Sequence, residues 1–260
     1  MTYGDDNERG DRRQTGFEDV AMESSLVSCV IPAFNAESFI KEAIDSALNQ
    51  TYSKIEVIVV DDGSRDGTAD IVRSYGARVR YLARPHRGAG AAKNVGVHEA
   101  KGEFIAFLDA DDLWYPDKLA QQIARIAERP EIDLCYTQYR NFWIPELAEE
   151  KQEYEGHALS KTAAGWSVST LLTRRGFFDR YGYFEETDAR KHLNLIWALG
   201  AARRGAIIDV LADVLMSRRL HHGNMSRGWA IDEDFFKLLR KWKDYKSQQG
   251  GGDNANPSVG

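Results

Sequence analysis

Phe104-Ile105-Ala106-Phe107-Leu108-Asp109-Ala110-Asp111-Asp112-Leu113-Trp114 decides how this chain is read. Five apolar residues run together, which marks a strand buried on both faces. Three carboxylates then fall within four positions. A core cannot hold Asp109 and Asp111 unless they are paired or grip a cation. The cluster must therefore sit where the strand leaves the sheet. In open α/β sheets that place, outside the carboxyl ends of the strands, is the ligand crevice. Carboxylates at i and i+2 there suit a hard divalent ion, which takes oxygen ligands. The plainer alternative is an acidic turn whose Asp112 caps the next helix.

Outward from this stretch the pattern alternates. Strands are expected at Leu26 to Ile31, Ile55 to Val60, Val79 to Leu82 and Ile132 to Thr137. Helices are expected at Ser38 to Leu48, Asp66 to Tyr75, Gly90 to Ala100 and Asp117 to Glu128. That rhythm predicts an α/β fold with a mostly parallel central sheet. After about residue 140 it changes. Pro145 to Gly156 reads as a solvated loop, Gly176 to Tyr181 as a short helix and His192 to Arg204 as a longer one. Ala206 to Val210 and Leu215 to His221 read as two strands. Ile231 to Lys246 forms an amphipathic pattern with Phe235, Leu238, Leu239 and Trp242 on one face.

Composition narrows the function. A net charge of −6 over 260 residues offers no basic field for nucleic acid. Cys29 and Cys135 lie apart in apolar runs, in no metal-ligand or redox spacing. No apolar stretch is long enough to span a bilayer, and Met1 to Val20 lacks the apolar region of a secretory signal. The expectation is a cytoplasmic protein with disordered tails at 1–25 and 247–260. The basic amphipathic segment within 229–246 could lie on the inner face of a membrane or pack on the fold.

Four further motifs carry chemistry. Ile31-Pro32-Ala33-Phe34-Asn35-Ala36-Glu37 ends the first strand, Pro32 removing a ladder donor. Asp61-Asp62-Gly63-Ser64-Arg65-Asp66-Gly67-Thr68 ends the second, and its carboxylates could accept from a base N–H or a ribose hydroxyl. Arg87-Gly88-Ala89-Gly90-Ala91-Ala92-Lys93-Asn94 opens a helix, where phosphate oxygens are favourably placed. Arg219-Leu220-His221-His222-Gly223-Asn224 holds the one adjacent histidine pair, and an imidazole can complete a mixed metal shell.

In order and spacing these motifs resemble the family 2 inverting glycosyltransferases of the GT-A fold. The resemblance runs from about residue 26 to 228 and is densest before residue 115. It implies a Rossmann-like sheet with a smaller acceptor-side subdomain: a nucleotide-sugar half at 26–138 and an acceptor-binding, catalytic half at 139–228. It implies a nucleotide-sugar donor, UDP-linked by family habit, and a glycan, lipid-linked or small-molecule acceptor. Pro32, Phe34, Asn35, Glu37 and Asp62 then look like contacts to base and ribose. Lys93, where the family usually has Arg, would lie near the diphosphate, and Asp109 near ribose or ion. Asp111, with Asp109 and His221, would ligate Mn²⁺ or Mg²⁺.

One departure stands out. The family usually places its general base in a Glu-Asp pair opening a helix, and here Leu193-Asn194 stands there. An amide cannot usefully take a proton. The base would then be Asp188 or His192, with Glu185 and Glu186 also near, or the chain would be an impaired nucleotide-sugar binder partnering another transferase. A nucleotidyltransferase would need a Gly-rich basic loop after the first strand, and Pro32-Ala33-Phe34-Asn35 is not one.

Overall fold

The computed structural model describes residues 25–156, 163–164, 167–186 and 193–224. Its nine strands are β1 (Val27–Ala33), β2 (Ile55–Asp61), β3 (Val79–Ala83), β4 (Phe104–Phe107), β5 (Leu113–Trp114), β6 (Leu134–Trp143), β7 (Ala163–Ala164), β8 (Leu172–Arg174) and β9 (Ile208–Leu220). Its helices are α1 (Ile40–Leu48), α2 (Thr68–Arg73), α3 (Ala89–Glu99), α4 (Lys118–Glu128), α5 (Ala148–Glu153), α6 (Phe177–Tyr181) and α7 (Leu193–Arg203). All strands join one sheet in the order β3-β2-β1-β4-β8-β6-β9-β5, with β7 beside β6.

The sheet is mostly parallel: β3, β2, β1 and β4 run one way, β8 runs against β4, and β6 pairs parallel with β9. Period-two alternation sends the two faces of each central strand into separate cores. Cys29, Ile31, Val57, Val59, Phe104 and Ala106 pack with α1 and α4. Val30, Ile58, Val60, Ile105 and Phe107 pack with α3 and α7 on the other face. Helices on both faces explain the unbroken apolar runs of these strands.

β1 lies between β2 and β4, so the strand order reverses there, and such a switch point opens a crevice at the carboxyl ends. The β1–β4 ladder stops at Val30 and Phe107 while β1 continues along β2 to Ala33 and Asp61. Pro32, which cannot donate, falls beyond the end of the β4 pairing.

Two expectations need correction. Residues 145–156 are not a loop: a 3-10 turn at Pro145–Leu147 leads into α5. Proline at its start, buried Leu147, and Glu149 and Glu150 in the first turn of α5 favour helix. The two strands expected between 206 and 221 are one, β9, because β6 supplies a parallel partner along most of its length, with register shifts around Gln138. β5 was too short to read from sequence, and it fixes the site by pairing Leu113 with Ser217 and Trp114 with Met216. The amphipathic segment at 231–246 lies outside the described residues, and among those no helix is long and apolar enough to cross a membrane.

Candidate active site

The crevice rim is built by loops that lace together. Phe34 is 47% exposed and stacks on His86, ring centroids 4.2 Å apart. Asn35 has φ +49°, the one positive value at a non-glycine among the described residues. Asparagine tolerates that conformation because its short side chain bonds locally. Here the Asn35 side-chain oxygen accepts from the Arg65 N–H at 2.9 Å, and its own N–H donates to Ser64 Oγ. Glu37 accepts from the Gly67 N–H at 2.7 Å, and a Cβ at Gly67 would sit 2.9 Å from that oxygen.

Asp62 is buried and accepts from the Arg87 and Gly88 N–H groups, with His86 Nδ1 at 2.8 Å and Arg84 Nε at 3.4 Å. It therefore holds the 84–88 loop that delivers His86 beneath Phe34 and Gly88, at φ +95°, to the start of α3. The neighbouring Asp61 accepts from the Ser64 N–H and the Tyr81 hydroxyl. Of the residues expected to touch base and ribose, Pro32 is buried in β1, and Asn35, Glu37 and Asp62 bind loop to loop. Phe34 presents an open ring. Beside Asp62, Arg84 Nη1 is buried without a hydrogen-bond partner.

Farther along, Lys93 projects from the first turns of α3. Its amine lies 4.0 Å from Asp109 Oδ1, 3.4 Å from the Asn194 side-chain oxygen and 5.6 Å from the Phe184 ring centroid. Asn94 pins the segment opposite, donating to the Phe184 carbonyl and accepting from the Phe184 N–H. Arg87 and Glu186 pair across the crevice at 3.0 Å. Glu186, a base candidate by sequence, is thereby held by Arg87 and by Asn94. Asp188 and His192 lie outside the described residues.

The acidic tip of β4 meets the end of β9, as the β5–β9 pairing requires. His221 Nε2 lies 2.9 Å from Asp111 Oδ2, and Asn224 donates to the same oxygen. His221 Nδ1 accepts from the Gly223 N–H at 3.2 Å, so the ring proton belongs on Nε2, facing Asp111. Arg219 fixes the strand end: its Nε donates to the Asp111 carbonyl, its terminal nitrogen reaches Glu42, and its N–H donates to Asp112. Burial, offset in part by Lys93 and reinforced by Asp111, raises the pKa of Asp109. Burial, with Asp111 and Asp109 beside it, lifts Asp112 well above the carboxylate range.

Crowded carboxylates of this kind call for positive charge. Among the described residues, however, no three His, Cys, Asp or Glu side chains converge as a ready-made metal cage. Asp111 meets His221, while Asp109 faces Lys93. The donor set fits Mg²⁺ or Mn²⁺ of the kind held by one or two carboxylates together with substrate phosphates and water. Residues to which the sequence assigned no role also converge here. Ser169, fully buried in a 3-10 turn at Val168–Thr170, accepts from the Asp109 N–H, and its carbonyl takes the Trp114 indole N–H.

Comparison with known proteins bears on these observations. The profile of the family described as Glycosyl transferase family 2 matches residues 28–194. An uncharacterized glycosyltransferase of Rickettsia typhi is 49% identical over 208 residues, covering 76% of this chain and 65% of that protein. The chain thus spans just under two thirds of that relative. The UDP-Glc:alpha-D-GlcNAc-diphosphoundecaprenol beta-1,3-glucosyltransferase WfaP of Escherichia coli is 31% identical over 228 residues, covering 85% of this chain and 86% of WfaP. Among solved structures, residues 1–349 of S. aureus TarS in complex with UDP-GlcNAc superpose with a TM-score of 0.63 at 23% identity. That match covers 88% of this chain and 68% of TarS 1–349, and it shows a shared fold.

Proposed function

The chain belongs to glycosyl transferase family 2, and on that premise we propose that it moves a sugar from a nucleoside-diphosphate donor to an acceptor hydroxyl, inverting the anomeric carbon and depending on Mn²⁺ or Mg²⁺. The observation that carries the reading is two contacts beyond the end of β4, Asp111 with His221 and Asp109 with Lys93, where the strand order switches at β1. WfaP's name supports a UDP-linked donor and a polyprenyl-diphosphate acceptor.

The residues divide the work. The open face of Phe34 over His86 stacks a base. The Lys93 amine, aimed at Asp109 between the α3 start and β4, faces the diphosphate. Asp111, with Asp109 and His221, holds the ion, and ligation by His221 requires its Nε2 proton to move or leave. When bound, the ion neutralises charge developing on the departing diphosphate. Removal of the acceptor's proton falls to Asp188 or His192.

Asn194 favours a second reading. Its side-chain oxygen faces Lys93 within the crevice, where an acidic base would otherwise act, so a donor binder without turnover is the competing function. Incubating the protein with UDP-sugars and Mn²⁺ separates the two: release of UDP, with or without acceptor, supports an enzyme, and binding without release supports the partner role. Asp188→Asn and His192→Ala, assayed separately, locate the base. Full activity in both excludes both.

A further inference from the structure

Lys118 is the first residue of α4 and has no solvent exposure. Buried lysines are rare and normally face a carboxylate. This one has two contacts of another kind. Its amine donates to Gln122 Oε1 at 2.8 Å and lies 4.2 Å from the centroid of the Trp114 ring. The titratable groups acting on it are the Cys29 thiol from β1 and the Cys135 thiol from β6. Burial pushes both thiols up, so both stay neutral.

Both partners of Lys118 reach the same short turn. The Gln122 amide donates to the Thr170 carbonyl at 2.9 Å and to the Cys135 carbonyl at 2.6 Å. The Trp114 indole donates to the Ser169 carbonyl at 2.7 Å. Adjacent carbonyls of the 168–170 turn are thus tied to two side chains that meet at one amine. The upper side of that turn is the Ser169 hydroxyl, which accepts from the Asp109 N–H at 3.0 Å and also acts on the Asp109 and Asp112 carboxyls.

We infer that Lys118 is a positioning residue for the acidic tip of β4: its amine locks Trp114 and Gln122 against the 168–170 turn, and the turn holds Asp109 where ion and donor meet it. The inference rests on the donor-site reading above for its function, while the positioning itself is a property of the ion-free chain. A purely structural lysine would lower stability without changing Asp109. A keystone changes Asp109 in proportion to the contacts removed.

Three variants decide this: Lys118→Met, which keeps the stem and deletes the donor; Gln122→Met, which leaves the lysine and deletes its acceptor together with the hydrogen bonds to the Thr170 and Cys135 carbonyls; and Ile126→Val, a core change on the same helix at a side chain that makes no hydrogen bond to the turn. The first readout is hydrogen exchange of the Asp109 amide in ion-free protein. The second is UDP binding in the presence of Mn²⁺, measured by calorimetry. Lys118→Met should speed Asp109 exchange and weaken Mn²⁺-dependent UDP binding about tenfold, the usual scale for groups that orient a ligand from behind. Gln122→Met should give a change of the same sign and carries the test should Lys118→Met not fold. Unchanged exchange and binding, or changes no larger than those of Ile126→Val, overturn the inference. A wild-type chain that binds no UDP with Mn²⁺ overturns the donor-site reading instead, and the exchange arm still judges the positioning.

Discussion

Asp111 and Lys118 are opposite uses of charge on either side of one turn. Asp111 sits at the crevice, where His221 and Asn224 reach it. Asp111→Ala should cut turnover at least a hundredfold and remove the Mn²⁺ dependence of donor binding, as assays at saturating and limiting Mn²⁺ would read. Turnover unchanged from wild type would refute the ion assignment. Lys118 is pushed down to about 7 by burial, which outweighs the attraction of the Trp114 ring for an ammonium. Its pKa is depressed on folding, so between about 7 and 10.5 the unfolded chain binds the proton and the folded chain does not. Stability therefore rises with pH across that window, by about 2 kcal/mol from pH 7 to pH 9, and is lost again toward pH 7. Urea midpoints at the two pH values should show that rise in the wild type and a smaller one in Lys118→Met. Equal rises would mean that the amine keeps an ordinary pKa.

Element packing sets what the crevice can tolerate. α3 lies so close to β1 that a Cβ at Gly96 would stand 2.2 Å from Val30 Cγ1. Gly96→Ala should cost about 1–3 kcal/mol through overpacking, seen as a fall of roughly 3–10 °C in melting temperature. A melting point equal to wild type would show that the helix can simply lift. The same elements show why reading succeeded where it did. β1, β2 and β4 were legible because burial on both faces leaves continuous apolar runs. The acidic tip was legible because charge after such a run has few places to go. The loop-to-loop hydrogen bonds of Asn35, Glu37 and Asp62 were not, because their partners include the backbone N–H groups of Arg65, Gly67 and Gly88, which sequence does not advertise. α5 was missed because a Glu-rich stretch looks solvated whether or not it coils. Lys118 was missed because a lysine at a helix start reads as surface. Gln122, four residues on and equally buried, was the available signal.

At the scale of the molecule, one sheet brings residues more than a hundred positions apart to a single tip: Asp111 with His221, and Lys93 with Asn194. Burial raises Asp109 and Asp112, and the carboxylates crowded beside them add to the rise. On the proposed reading, a bound divalent ion with a diphosphate would relieve that crowding. A ligand that binds only the folded chain at a hundred times its Kd adds about 2.7 kcal/mol, or roughly 5–10 °C at this length. Mn²⁺ with UDP should therefore raise the wild-type melting temperature by that amount, and Mn²⁺ alone by less. Asp111→Asn should reverse the pattern. It removes one charge from the cluster, so the ion-free variant should melt at or above the wild type, yet gain almost nothing from Mn²⁺ and UDP. A variant that melts lower and still responds fully to the pair would show that Asp111 is a structural carboxylate and that the ion is held elsewhere.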